Sequence, residues 1–267
     1  MLLFFVYFTK NPFFGVAMDI HDLDTSLFLP GLSVDNVIFG FHDNQLKVLL
    51  LACKDHKHWM LPGGYILKDE SVDAAAERVL LDRTGLKKVY LQEFSVFSDP
   101  RRSSEKLTKG LMKSMDLDAE QNKWFLQRFI SIGYYALVEF EKVAPVPDPL
   151  SLSCDWVDID KLPPLIFDHK AIIHGALVAM RQHLNFQPIG LNLLPTNFPL
   201  KSLQSIYETI LGRKLDRPNF NRKMISLGIL EKKEKLYTGA AHKAPFLYSF
   251  NKKVYYKLLK EGIGELF

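Results

Sequence analysis

Residues Gly63–Leu86 read GGYILKDESVDAAAERVLLDRTGL, and this stretch decides the fold. Gly64 is followed after five residues by Glu70, and Glu70 after seven more by Arg78; Leu80, Gly85 and Leu86 complete the spacing. The pattern predicts a glycine loop entering a helix over roughly Val72–Thr84. Gly85 then serves as a left-handed C-terminal cap, a conformation glycine adopts without a Cβ clash. An ordinary amphipathic helix with a chance Gly–Glu–Arg spacing is the alternative.

Working outward, Ser33–Phe41 and Gln45–Cys53 read as two strands joined by a His-Asp-Asn turn, hence a hairpin. The unbroken Val48-Leu49-Leu50-Leu51 predicts burial on both faces. Trp59–Leu61 leads into Pro62-Gly63-Gly64. Beyond the central stretch, Val89–Phe97 predicts a strand and Phe129–Phe140 a long central one. Between them Ser103–Lys123 has the character of an insertion holding a short helix. Asp155–Ile159 predicts a short strand and Lys170–Leu184 a helix. Strands flanked by two helices imply an α/β sandwich.

The last third reads differently. Leu200, Leu203, Ile206, Tyr207 and Ile210 recur at helical spacing within Pro199–Leu211. A turn leads to a second short helix, Arg217–Leu227, ended by Gly228. Leu230–Lys235 and Phe246–Phe250 predict a strand pair around a tip over Leu236–Pro245. Helix, turn, helix and two-stranded wing form a winged helix-turn-helix. A small basic α+β domain for protein contacts is the alternative. The fold class is therefore α/β (α+β). Residues 1–28 are an N-terminal extension, 29–187 the sandwich and 188–267 the winged helix.

Charge divides the same way. Residues 187–267 carry 14 Lys+Arg against 6 Asp+Glu, while residues 1–186 carry 20 against 24. A basic module behind an acidic one suggests a nucleic-acid-binding domain. Two cysteines, Cys53 and Cys154, lack a CxxC partner and read as reduced core thiols in a cytoplasmic protein. His56, His58, His174 and His183 show no metal-ligand spacing, and no metal or cofactor is expected. The apolar run before Lys10 is too short for a bilayer, which needs ~20 residues. Residues 1–17 read as an upstream extension from a mis-assigned start, or as a disordered tail.

The central stretch resembles the Nudix box, G-x5-E-x7-R-E-U-x-E-E-x-G-U with U apolar. In a working Nudix enzyme the acids of R-E-U-x-E-E hold Mg²⁺ against a diphosphate. Here those three positions are Val79, Asp82 and Arg83, so the resemblance implies a sandwich whose hydrolytic chemistry is lost. The whole chain from about Leu29 to Phe250 resembles the Nudix-related transcriptional regulators, which join a silent Nudix-like domain to a winged helix. LPGLSVDNVIFGF, FSDPRR with RFISIGYYAL, LPPLIFDH, PIGLNLLP and LQSIYETILGRKLDRPNFNRKMISLGILEK carry it. The length of Ser103–Lys123 departs from the pattern.

That resemblance implies a homodimer on palindromic double-stranded operator DNA, gated by a small effector in the former substrate pocket. The effector is a pentose or an ADP-ribose-like nucleotide, and the wording of DNVIFGF and FDH with IGLNLLP looks closer to the pentose branch. The pocket is expected between the sheet and the box helix. Its candidates are Glu70, Asp82, Arg83, Arg101, Arg102, Arg128 and Asp168, with Arg78 bracing the loop and His169 packing at a helix start. For DNA the candidates are Arg217, Asn219, Asn221, Arg222 and Lys223, where Arg and Asn read base edges. Lys201 and Ser202 at the preceding helix's N-terminus, with His242 and Lys243 on the wing, complete the set. A residual hydrolase using Glu70 and Asp82, or a non-DNA partner-binding protein, are the competing readings.

Overall fold

The computed structural model describes residues 23–43, 45–87, 89–148, 151–235 and 244–262. Its first layer is a seven-stranded sheet of β1 (Phe28–His42), β2 (Gln45–Cys53), β3 (Trp59–Met60), β4 (Gly63–Leu67), β5 (Leu91–Phe97), β6 (Ile130–Val138) and β7 (Ser151–Asp158). β1 is the hub. It pairs antiparallel with β2 and β4 and parallel with β6, and Phe39 lies opposite Val48 in the hairpin.

Alternation along β1 sends side chains to two different layers. Val37 and Phe39 join the core beneath α3 (His169–His183), with Ile172, Ala176 and Met180. Val34 packs under α1 (Val72–Thr84) against Ala75, Ala76 and Val79. Asn36, on the α1 side, donates from Nδ2 to the Ala76 carbonyl at 2.8 Å and pins that helix to the sheet. The α1 ends follow from local chemistry. Ser71 Oγ accepts from the Ala74 N–H at 3.1 Å, and Gly85 takes φ +70° while its N–H reaches Leu81 O at 2.8 Å.

One expectation changes. Gly63 and Gly64 lie inside β4 rather than in a loop. They are glycines because the backbone approaches its neighbours closely. A Cβ on Gly63 would meet Asp35 Oδ1 at 2.7 Å, and one on Gly64 would meet Val79 Cγ2 at 2.7 Å.

The second unit holds α4 (Leu200–Leu211), α5 (Arg217–Ser226) and a small sheet of β8 (Phe198–Pro199), β10 (Phe246–Phe250) and β9 (Leu230–Lys235). A further helix, α6 (Lys252–Glu261), follows the wing and was not anticipated. Its signal is present: Asn251 caps it by accepting from the Val254 N–H at 3.2 Å, and Val254, Tyr255, Leu258 and Leu259 form an apolar stripe.

The apolar core runs without a break from the α3 side of the sheet into the winged helix, through Leu194, Phe198, Ile206, Tyr207 and Phe250. Polar ties reinforce the junction. Tyr255 Oη donates to Pro188 O at 2.6 Å, the Ile189 N–H donates to Tyr207 Oη at 3.1 Å, and Arg181 Nε donates to Ile210 O at 2.7 Å.

Candidate effector pocket and DNA-facing surface

The box helix commits its charges to structure. Glu70 and Arg78 form a two-pronged pair, Nε to Oε2 at 3.1 Å and Nη2 to Oε1 at 2.6 Å. Arg78 Nη2 also donates to Tyr65 O at 2.8 Å, and Glu70 Oε1 accepts from the Leu67 N–H at 2.8 Å. The pair thus braces β4 and the turn ahead of the helix, as expected of Arg78. Further along, Val79 is buried and packs where Gly64 leaves room. Burial pushes the Asp82 carboxyl above its usual range, against the pull of Arg83 and Arg78. Asp82 Oδ1 and Arg83 Nε are enclosed with no hydrogen-bond partner among the described residues, and Arg83 Nη1 donates to Val146 O at 3.3 Å. A valine, a carboxyl whose charge burial opposes and a guanidinium thus stand at the positions where the box pattern has acids. No cluster of three or more His, Cys, Asp or Glu suited to a metal occurs among the described residues.

A second charged group lies on the α3 side. Arg102 is buried and grips Asp168 with both prongs, Nε to Oδ2 and Nη2 to Oδ1, each at 2.9 Å. Its Nη1 donates to Phe129 O at 3.1 Å and its Nη2 reaches Asp35 Oδ2 at 3.5 Å. Ser131 Oγ donates to the same Asp35 oxygen at 2.5 Å. His169 Nδ1 accepts from the Leu61 N–H at 2.9 Å while burial holds its imidazole below the usual range, so the ring is neutral at physiological pH. His169 therefore packs at the start of α3, as expected. Asp35 and Ser131 were missed; a lone carboxylate within the apolar run of β1 was the available signal. Arg101 points into solvent, with its side chain 91% exposed, and Arg128 is exposed and donates to the Ser98 carbonyl.

The space between sheet and box helix is filled by apolar packing. A partly open cavity of about 180 Å³ lies instead beneath α2 (Glu105–Ser114), the helix of the inserted segment. Its walls include Met60, Tyr65, Met112, Phe125 and Phe129. Of the seven expected ligand residues only Arg102 lines it. Phe167, also in the wall, holds φ +46°, a left-handed conformation unusual for a bulky residue. Cys53 lines the same cavity, and burial pushes both cysteine thiols up to about 12, which leaves them inert.

In the winged helix, Asp216 caps α5 by accepting from the Asn219 N–H at 3.0 Å, and Phe220 and Met224 anchor the helix in the core. Arg217, Asn219 and Arg222 are left exposed, with Asn221 and Lys223 half-buried. Arg222 Nη2 donates to Asn219 Oδ1, which holds the guanidinium beside the first turn. Lys201 is exposed and Ser202 half-buried at the start of α4. His242 and Lys243 lie outside the described residues.

The fold and this surface define a class: a Nudix-like domain fused to a DNA-binding winged helix. Residues 190–250 match the NrtR DNA-binding winged helix domain. The chain is 28% identical over 209 residues to the ADPR responsive transcriptional repressor NtrR of Acinetobacter baylyi, covering 76% of this chain and 75% of the relative. The crystal structure of Shewanella oneidensis NrtR is similar at 25% identity and TM-score 0.63, over 84% of this chain and 95% of that one. The same Shewanella protein complexed with a 27mer DNA shares the fold at TM-score 0.65 and 24% identity, again over 84% and 95%. The chain is thus similar, over about three quarters of its length, to a Nudix-fused winged helix regulator, and residues 190–250 carry the NrtR-type winged helix. Nothing in these likenesses supports the pentose branch. No helix among the described residues is long and apolar enough to cross a membrane.

Proposed function

We propose that the protein is a transcriptional repressor whose operator affinity is set by an ADP-ribose-like nucleotide, and that its Nudix-like domain senses without hydrolysing. One observation carries this reading. The exposed Arg217, Asn219 and Arg222 of α5 stand free of the core within a winged helix of the NrtR type. The name of the Acinetobacter relative supplies the effector class, and the Val79–Asp82–Arg83 face argues against Mg²⁺-dependent cleavage. Operator reading by two α5 helices calls for a homodimer on a two-fold site, acting in the cytoplasm where the DNA is.

Arg222 and Arg217 suit guanine edges, Asn219 and Asn221 adenine edges, and Lys201, Ser202 and Lys223 phosphate. His242 and Lys243 belong to the same proposed contact set. The effector acts from the sandwich. The core shared between the α3 face and the winged helix offers a path by which pocket occupancy changes the set of α5.

Fluorescence anisotropy on DNA from upstream of the protein's own gene cluster, at fixed salt, tests this. Specific binding released by ADP-ribose, with no response to L-arabinose or D-xylose, is the expected result. Release by a pentose alone would transfer the effector to the sugar class. Hydrolysis of ADP-ribose with Mg²⁺ or Mn²⁺ would restore the enzyme reading.

A further inference from the structure

β5 and β6 are antiparallel neighbours, and such strands need only a short turn between them. Residues 98–129 join them instead, and the excess has a use. α2 turns Leu111 and Met112 inward, and Met112 and Leu117 are buried against Leu23, Phe125 and Leu126. Trp124 then locks the segment to the box strand, its ring 4.4 Å edge-on from Tyr65 and 5.1 Å from Phe129. The segment is thus one wall of the cavity described above.

Lys54, Arg102 and Glu105 are the charged residues among the walls. Arg102 is already engaged by two carboxylates and a carbonyl, and Glu105 brings the opposite sign. A diphosphate needs clustered, uncommitted cations, which this space does not offer. Ser103, Thr108 and Ser114 add hydroxyls, and the rest of the lining is mainly apolar and aromatic, with Met60, Tyr65, Phe125 and Phe129. Gln127 adds an enclosed amide nitrogen with no hydrogen-bond partner among the described residues, a state that an acceptor on a ligand would relieve. At about 180 Å³ the space falls below the roughly 300–1,000 Å³ of a site holding a whole ligand, so it takes one part of a larger molecule.

We propose that the compartment beneath α2 is a base subsite, accepting the uncharged aromatic heterocycle of a nucleotide while sugar and phosphates remain outside, and that segment 103–127 is its specificity wall. The inference rests on the nucleotide reading above. Tyr65 and Phe129 supply ring faces, and Gln127 supplies a donor to a ring nitrogen.

The test is calorimetry on the full chain with adenosine, ribose 5-phosphate and ADP-ribose as separate probes. Adenosine is expected to bind and to compete with ADP-ribose. Thr108→Trp, which fills the cavity from its half-buried rim, is expected to weaken adenosine and ADP-ribose at least tenfold and leave ribose 5-phosphate unchanged. Gln127→Leu, a gentler change that keeps the volume, should weaken adenosine several-fold; operator binding by each variant confirms its folding. Failure of adenosine to bind while ADP-ribose does, or unaltered adenosine affinity in both variants, overturns the subsite but leaves the regulator reading standing. Adenosine binding that Thr108→Trp abolishes, in a protein whose operator complex ignores ADP-ribose, upholds the subsite and removes the regulator's proposed effector. Absence of binding by all three probes overturns both.

Discussion

The two regions of this molecule treat arginine in opposite ways. In the sandwich, Arg102 is buried, and four of its hydrogen bonds tie together Asp168, Asp35 and the Phe129 carbonyl. In the winged helix, Arg217 and Arg222 stand in solvent on a helix held from behind by Phe220 and Met224. An arginine whose donors are mostly used inside the fold has little left for a ligand, whereas one held at a helix surface keeps more of them. On the proposed reading, the sandwich would therefore offer an effector shape and mostly apolar walls, and the winged helix would offer DNA charge.

The largest expected effect is on the buried side of that contrast. Arg102→Met leaves Asp35 and Asp168 without their countercharge. Breaking a buried pair from one side costs about 3–5 kcal/mol, read as a lower urea midpoint at unchanged slope. A loss below about 1 kcal/mol would mean that the network is solvated rather than structural.

On the exposed side, Arg222→Ala is expected to weaken operator binding by about 1–3 kcal/mol, the value of a good base contact, and to relax specificity at one base position. Unfolding should shift by no more than about 0.5 kcal/mol, as surface substitutions do. Equal affinity for operator and scrambled DNA before and after the change would remove α5 from the reading role. Asp216→Ala sits between the two cases. Losing the cap on α5 should cost about 1 kcal/mol of stability, and operator affinity should fall with it because the first turn carries Arg217 and Asn219.

The smallest expected effects sharpen the contrast. Lys201→Ala should lower the slope of log affinity against log salt by about 1, as one lost phosphate contact does. Asp82→Asn should raise the thermal midpoint slightly at neutral pH. The folded carboxyl titrates above its unfolded value, so it favours the fold below the unfolded pKa and loses that contribution as pH rises through the folded one. A midpoint raised by Mg²⁺ in the parent protein but not in this variant would show instead that Asp82 holds a metal.

Much of the fold was legible because its signals are local. The β1–β2 hairpin, α1 with its Gly85 end, and the helix-turn-helix over α4 and α5 all follow from periodicity and caps. Within the site, the pairing of Arg78 with Glu70 followed from the box spacing. The exposed set on α5 followed from the apolar positions of its other face.

The amino-acid sequence by itself determined the two-part architecture, the absence of box acids at Val79 and Arg83, and the basic residues on the outer face of α5, since each is a matter of residue type at fixed spacing along one element. Tertiary structure alone decided where the cavity lies and which charges are spent. Asp35, Arg102, Ser131 and Asp168 come from four separate places in the chain, and a segment that reads as a polar insertion becomes a largely apolar wall only when Trp124 and Phe125 meet Tyr65. Whether a charged side chain is a ligand contact or a brace depends on the partners that folding brings to it, and no spacing along the chain encodes them.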